Sequence, residues 1–339
     1  MSSFAGNPHR VLWLAPRTVA VEPFELREPR HGEALVEAEL SLISPGTERA
    51  FLLNLDNAKS SYPTTGGYSL VGRVAAHGEG VTTPHIGARV VCAVSHASHA
   101  LVAANRCVEV PEGLNSEDAA FFNLIAVALQ GIRKARVELG EATVVFGCGL
   151  IGQCAMQIAR LSGSVPVVAL DLDPSRRQLA ETASADVALD PRADGFADVL
   201  RDVVAVADAN ANEAPQVVIE ATGYPDAILS AMTIAGWMAR VVLLGSSRGT
   251  TEEVNFYRDV HKKGLSLIGA HASTIPREES HAGHWTWKSN VTTVLRLLRE
   301  RRLNVQPLIT HRLPAKDAAL VYGQIADWQP SVLGAILNW

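Results

Sequence analysis

Two stretches of this chain hold residues whose types and spacing can do chemistry. In "VVFGCGLIGQ" (144–153), Gly147, Gly149 and Gly152 stand in G-x-G-x-x-G register. An apolar run leads into them, a helical pattern leaves them, and Asp171 closes the next apolar run. In that context Gly147 allows a tight turn and Gly149 lets the backbone approach a pyrophosphate. Gly152 lets helix and strand pack closely, and the helix N-terminus attracts the anion. Asp171 is expected to accept hydrogen bonds from ribose hydroxyls and to repel a 2′-phosphate, which favours NAD over NADP. Cys148, Leu150, Ile151, Leu172 and Arg176 are expected beside that cofactor. Arg176 and Arg177 read either as a solvated helix face or as holders of a 2′-phosphate. The alternative for the whole motif is a glycine turn without a nucleotide, or a site for SAM or FAD.

The second stretch is "PTTGGYSLVGRV" (63–74), whose glycines suit a tight turn region and which sets Tyr68 and Ser69 between them and an apolar run. Downstream, Cys92, His96, His99 and Cys107 could be read as a metal set. Their spacing is loose, and His96 and His99 in a β-like segment would point to opposite faces, so no metal is expected there. The loop "ESHAGHWTWKSN" brings His281, His284, Trp285 and Trp287 together. Its two indoles suit a sugar ring or a planar substrate, or else pack the loop onto its domain.

These residues need elements to position them. Residues 10–110 hold short alternating or β-branched runs broken by Gly and Pro, which predicts an antiparallel, barrel-like β domain. From "NSEDAAFFNLIAVALQGIRKA" the pattern turns helical, with Asn115 or Ser116 to cap and Glu117 and Asp118 to complement the dipole. Strand and helix patterns then alternate through "ATVVFG", "VPVVALD", "APQVVIEATG" and "RVVLLG". Near-continuous apolar strands in that order predict a doubly wound parallel sheet covered on both faces. The strand ends at Ala221, Thr222 and Gly223, and at Gly245 and Ser246, should then approach ribose and nicotinamide.

Composition narrows the classes. The 339 residues predict two domains. With 47% hydrophobic and 19% charged residues the chain reads as soluble and globular. Its apolar runs are too short for a membrane span, and no signal peptide is visible. A net charge of −5 without charge blocks gives no footprint for nucleic acid. Four cysteines without a regular framework fit a reducing cytoplasm.

The order of β domain, glycine-motif domain and short return segment resembles the medium-chain dehydrogenase/reductase superfamily. "SPGTERA" (44–50), "GGYSLVGRV", "GARVVC" and "PLITHRLP" (307–314) carry that resemblance. It implies a GroES-like β-barrel catalytic domain over 1–124 and 273–339 and a Rossmann NAD-binding domain over 125–272. It also implies a homodimer, or a tetramer, through the edge strand near 265–270, with Ala270 at the cofactor and His271 facing nicotinamide or substrate. At the superfamily's zinc-ligand positions stand Pro45, Tyr68 and Asn123, all poor ligands or none, so zinc is expected to be absent. Without a Lewis acid, side chains must move the proton and steady the oxygen. The resemblance places Thr47 as the relay hydroxyl, Tyr68 as acid and base, and Glu48 as an acid that orients Thr47 or a nearby histidine. Asn123, His96, His99, Trp285 and Trp287 are then substrate candidates. The activity implied is interconversion of a secondary alcohol and a ketone on a polyhydroxylated or bulky ring. The alternatives are reduction of an activated C=C bond and NAD(H) binding without turnover.

Overall fold

A computed structural model of the chain describes residues 7–205, 213–281 and 285–339. The chain forms two compact units, one from the residues before Leu124 with Val291–Arg301 and Leu308–Trp339, the other from Leu124–Asn290 with Arg302–Pro307. Residues 273–290, assigned from sequence to the first domain, pack with the second unit instead.

The second unit is built on six parallel strands: Thr143–Phe146, Val167–Leu170, Val187–Leu189, Val217–Glu220, Arg240–Leu243 and Ser266–Gly269. Counted along the chain, they lie in the order 3-2-1-4-5-6. Three of them are buried at every residue, which is why their sequences read as unbroken apolar runs. Val144, Phe146, Val168, Leu170, Val218 and Val241 share one core with Leu200, Val204, Ala231 and Met232 from the helices. The order reverses beside the first strand, so the ends of Thr143–Phe146 and Val217–Glu220 flank the crevice where such sheets bind ligands.

In the first unit, Glu33–Ile43 is the organising strand. It pairs antiparallel with Leu70–His77, His99–Ala103 and Gly334–Asn338. Pairing breaks register between Leu35 and Val36 and between Ala38 and Leu40, irregularities that bend and twist a strand. The return segment adds Ile309–Pro314, parallel to Gly334–Asn338. Of the two capping candidates it is Asn115 that caps, accepting from the Asp118 amide at 2.7 Å. No helix among the described residues is long and apolar enough to cross a membrane.

Candidate active site

In the second unit the glycine motif has the geometry its spacing predicts. Gly147 has φ +93°, open to glycine and strained for other residues. A Cβ on Gly152 would lie 1.8 Å from the Gly147 carbonyl oxygen, so no side chain fits there. A Cβ on Gly149 would meet nothing within 4 Å, which leaves the backbone open to close approach. The helix Leu150–Leu161 starts with Leu150 and Ile151, and Gly149 gives it no side-chain cap. Its first amides therefore suit a phosphate. Asp171 is pinned by backbone, accepting from Cys148 N at 2.7 Å and Asp173 N at 2.9 Å. Those bonds hold the carboxylate at the motif's edge. Leu172 beside it is 47% exposed. These residues fit a dinucleotide.

The two arginines separate. Arg177 folds back onto the carbonyls of Asp171 at 2.8 Å and Leu172 at 3.0 Å and pairs with Asp190, so it braces the turn rather than a phosphate. Arg176 stands in the first turn of Pro174–Ala183, its amide capped by Asp173. Burial pushes the Cys148 and Cys154 thiols up, and both stay small neutral packing groups. Ala221, Thr222, Gly223, Gly245 and Ser246 lie at the ends of their strands as predicted, and Ala270 follows the edge strand, fully buried.

In the first unit, "SPGTERA" forms the helix Pro45–Leu52, with Ser44 at its N-cap and proline in its first turn. Thr47 is partly exposed there, while Glu48 is 1% exposed. Glu48 Oε1 accepts from the Ser44 amide at 2.7 Å, and Oε2 stands 3.1 Å from His96 Nε2 and accepts from the Tyr322 hydroxyl. His96 Nδ1 meets Ser41 Oγ at 2.8 Å, and Ser41 accepts from the Trp339 indole at 3.0 Å. One proton assignment satisfies every group. Trp339 donates to Ser41, Ser41 donates to His96 Nδ1, and His96 Nε2–H and Tyr322 O–H donate to an ionised Glu48. The Trp339 indole, the Ser44 amide and the Tyr322 hydroxyl all donate inward, so the network holds Glu48 in place. Burial and the charge of Glu48 push Tyr322 well above the ordinary phenol value, which keeps it a donor.

This network corrects two expectations. His96 is wholly buried and His99 is 7% exposed, so neither faces a substrate. His96 orders Glu48, whereas His99 turns to Ser98 Oγ at 2.9 Å, and burial keeps its ring below the usual histidine value. Glu48, expected to orient Thr47 or a nearby histidine, is buried beside His96 and acts through its neighbours as a positioning residue. Tyr322, Ser41 and Trp339 were missed, because nothing local in their sequence marks them.

Tyr68 sits in a bend before the strand Leu70–His77, partly exposed, and its carbonyl accepts from Asn123 Nδ2 at 3.0 Å. The two glycines before it are explained by what lies beneath. A Cβ on Gly66 would be 2.3 Å from the Trp13 ring, and one on Gly67 would be 2.4 Å from the His96 ring. A phenol, a proline and an amide committed to a carbonyl do not fit zinc. Among the described residues no three of His, Cys, Asp or Glu converge as a metal set. Cys92 and Cys107 face each other at 3.6 Å, but His96 and His99 point elsewhere.

The aromatic loop belongs to the second unit. The Arg133 guanidinium covers the half-exposed Trp285 ring at 4.5 Å, and the Trp287 amide donates to Pro276 O at 2.9 Å. His284 lies outside the described residues. His271 is exposed and caps the short turn Ala272–Thr274, its Nδ1 accepting from Ser273 N at 3.2 Å.

Residues 151–287 match the family model described as zinc-binding dehydrogenase. The D-guloside 3-dehydrogenase of Shigella flexneri is 27% identical over 222 residues, which is 66% of this chain and 61% of that protein. The sorbitol dehydrogenase of Bos taurus is 27% identical over 215 residues, 63% of this chain and 55% of that one. The chain thus spans less than two thirds of the length of the curated relatives it matches. The crystal structure of galactitol-1-phosphate dehydrogenase from Escherichia coli superposes with a TM-score of 0.84 at 23% identity. It covers 98% of this chain and 100% of its own, a likeness of fold.

Proposed function

The chain belongs to the medium-chain, alcohol-dehydrogenase-like dehydrogenase/reductase superfamily, and from that premise we propose that it is an NAD(H)-dependent, zinc-independent oxidoreductase. It interconverts a secondary alcohol and a ketone on a polyol or sugar-like substrate. One contrast carries the reading. The glycine crevice and pinned Asp171 fit a dinucleotide, while the groups around Tyr68 do not fit the zinc of the matched family description. The names of the relatives, which act on guloside and sorbitol, support a polyhydroxylated substrate.

When bound, NAD would accept the hydride from the carbinol carbon. The chain's own task is then the oxygen and its proton. Tyr68 takes that proton in oxidation and returns it in reduction. Its ordinary pKa of about 10 leaves it protonated at neutral pH, so the positive charge of the oxidised nicotinamide is required to favour the phenolate. Thr47 offers a hydroxyl to the same oxygen, and Asn123 fixes the Tyr68 backbone.

The reading is tested by following NADH formation over a panel of polyols with chelator-treated protein and a parallel metal assay. Turnover on at least one polyol that survives the chelator is expected. Chelator-sensitive turnover with one zinc per chain would overturn it.

Coenzyme choice follows from Asp171. Asp171→Asn removes the charge that repels a 2′-phosphate, and it leaves an acceptor oxygen for only one of the two backbone amides. The ratio of kcat/KM for NADPH over NADH is expected to rise by about tenfold or more, the worth of roughly 1.4 kcal/mol of charge repulsion. An unchanged ratio would remove Asp171 from coenzyme selection.

A further inference from the structure

The crevice is lined by three turns, and they meet at one buried carboxyl. Glu220 ends the strand that lies between Thr143–Phe146 and Arg240–Leu243, and it is wholly buried. Its backbone carbonyl accepts from Leu244 N at 2.9 Å and Gly245 N at 2.7 Å. Its side chain bends the following turn back on itself. Oε1 accepts from Thr222 N at 2.7 Å, from Gly223 N at 3.1 Å and from the Thr222 hydroxyl. That hydroxyl accepts in turn from Tyr224 N at 2.9 Å, at the cap of the helix Pro225–Ile234.

Packing leaves the turns no slack. A Cβ on Gly245 would stand 2.5 Å from Gly223 N and 2.9 Å from Glu220 Oε2. One on Gly223, where φ is +75°, would stand 2.6 Å from Ser246 O, and one on Gly147 would stand 2.9 Å from Thr222 Cγ2. The turns after the first, fourth and fifth strands therefore touch one another around the Glu220 carboxyl. Its two oxygens differ: Oε1 takes all three donors, while Oε2 is buried with no hydrogen bond. Burial raises the pKa of the group, and the three donors on Oε1 oppose that rise.

We propose that Glu220 is a positioning residue for the dinucleotide, an acceptor that sets the Ala221–Gly223 turn against Gly147 and Gly245 so that the crevice has one shape. The proposal rests on the dinucleotide reading above. What it requires of Glu220 is the acceptor oxygen Oε1, not a charge. A glutamine keeps that oxygen, while a leucine keeps the volume and loses it.

The test is NADH titration by fluorescence on the full chain, with thermal unfolding alongside. Glu220→Leu is expected to raise the Kd for NADH about tenfold or more, and Glu220→Gln to stay within about threefold of wild type. In turnover the loss should fall on the KM for the dinucleotide, with kcat at saturation little changed. If Glu220→Leu does not fold, Thr222→Val, which at constant shape removes the hydroxyl that donates to Oε1 and accepts from Tyr224 N, is expected to raise the Kd about threefold or more. Leucine and glutamine variants that bind NADH as wild type does, or that lose it equally, would overturn the proposal, as would wild-type affinity in Thr222→Val. Wild-type protein that binds no NADH would overturn the dinucleotide reading itself, and this proposal with it.

Discussion

Replacing Tyr68 with phenylalanine lowers kcat by about 10²- to 10⁴-fold, the range for loss of a general acid–base, and leaves the Kd for NADH unchanged. The expectation rests on how firmly the ring's backbone is held. Gly66 and Gly67 lie directly on the Trp13 and His96 rings, and no side chain could be added at either without displacing them. Asn123 Nδ2 holds the Tyr68 carbonyl, and the Ser69 hydroxyl is bonded to the Ala120 carbonyl. Phenylalanine keeps the ring and disturbs none of these contacts. The loss should fall on turnover. Unchanged kinetics would take Tyr68 out of the mechanism and leave Thr47 as the remaining hydroxyl.

How far the sequence reaches depends on how local each cause is. The parallel sheet was legible because its strands are buried on both faces and so read as apolar runs. The glycine motif was legible because each glycine answers a backbone demand within a few residues, as the 1.8 Å approach at Gly152 shows. The buried network was not. Tyr322 lies 274 residues from Glu48, and Trp339 lies 298 from Ser41. Only the folded β domain, closed by its return segment, brings those side chains into contact. His96 illustrates the same limit, because a histidine that orders a buried acid and one that faces a substrate look alike in sequence. Alternation does not relate His96 to His99, because His96 lies in a bend before the strand His99–Ala103 begins, and their partners differ.

Removing the Glu48 carboxylate should cost the first unit more than any surface change. Glu48→Ala leaves the Ser44 amide, the Tyr322 hydroxyl and the His96 Nε2–H without their acceptor in a place where Tyr322 and His96 are buried. Breaking a buried charged network from one side costs about 3–5 kcal/mol. Glutamine is the sharper probe. It has one acceptor oxygen where glutamate has two, and three donors converge on the site. With its oxygen on the Ser44 amide, its N–H₂ faces Tyr322 and His96. His96 must then shift its proton to Nδ1, which leaves Ser41 with two incoming donors, Trp339 and His96, and a proton of its own to place elsewhere. Glu48→Gln should therefore destabilise by about 1–3 kcal/mol, the cost of one unmet buried polar group. Because the chain forms two units, the loss is expected in the unfolding step of the first, followed by denaturant unfolding, with the second unit's step and its NADH affinity unmoved. Equal stability in wild type and Glu48→Ala would mean that the three donors find other acceptors. The network would then not be what holds Thr47 and Tyr68 in place.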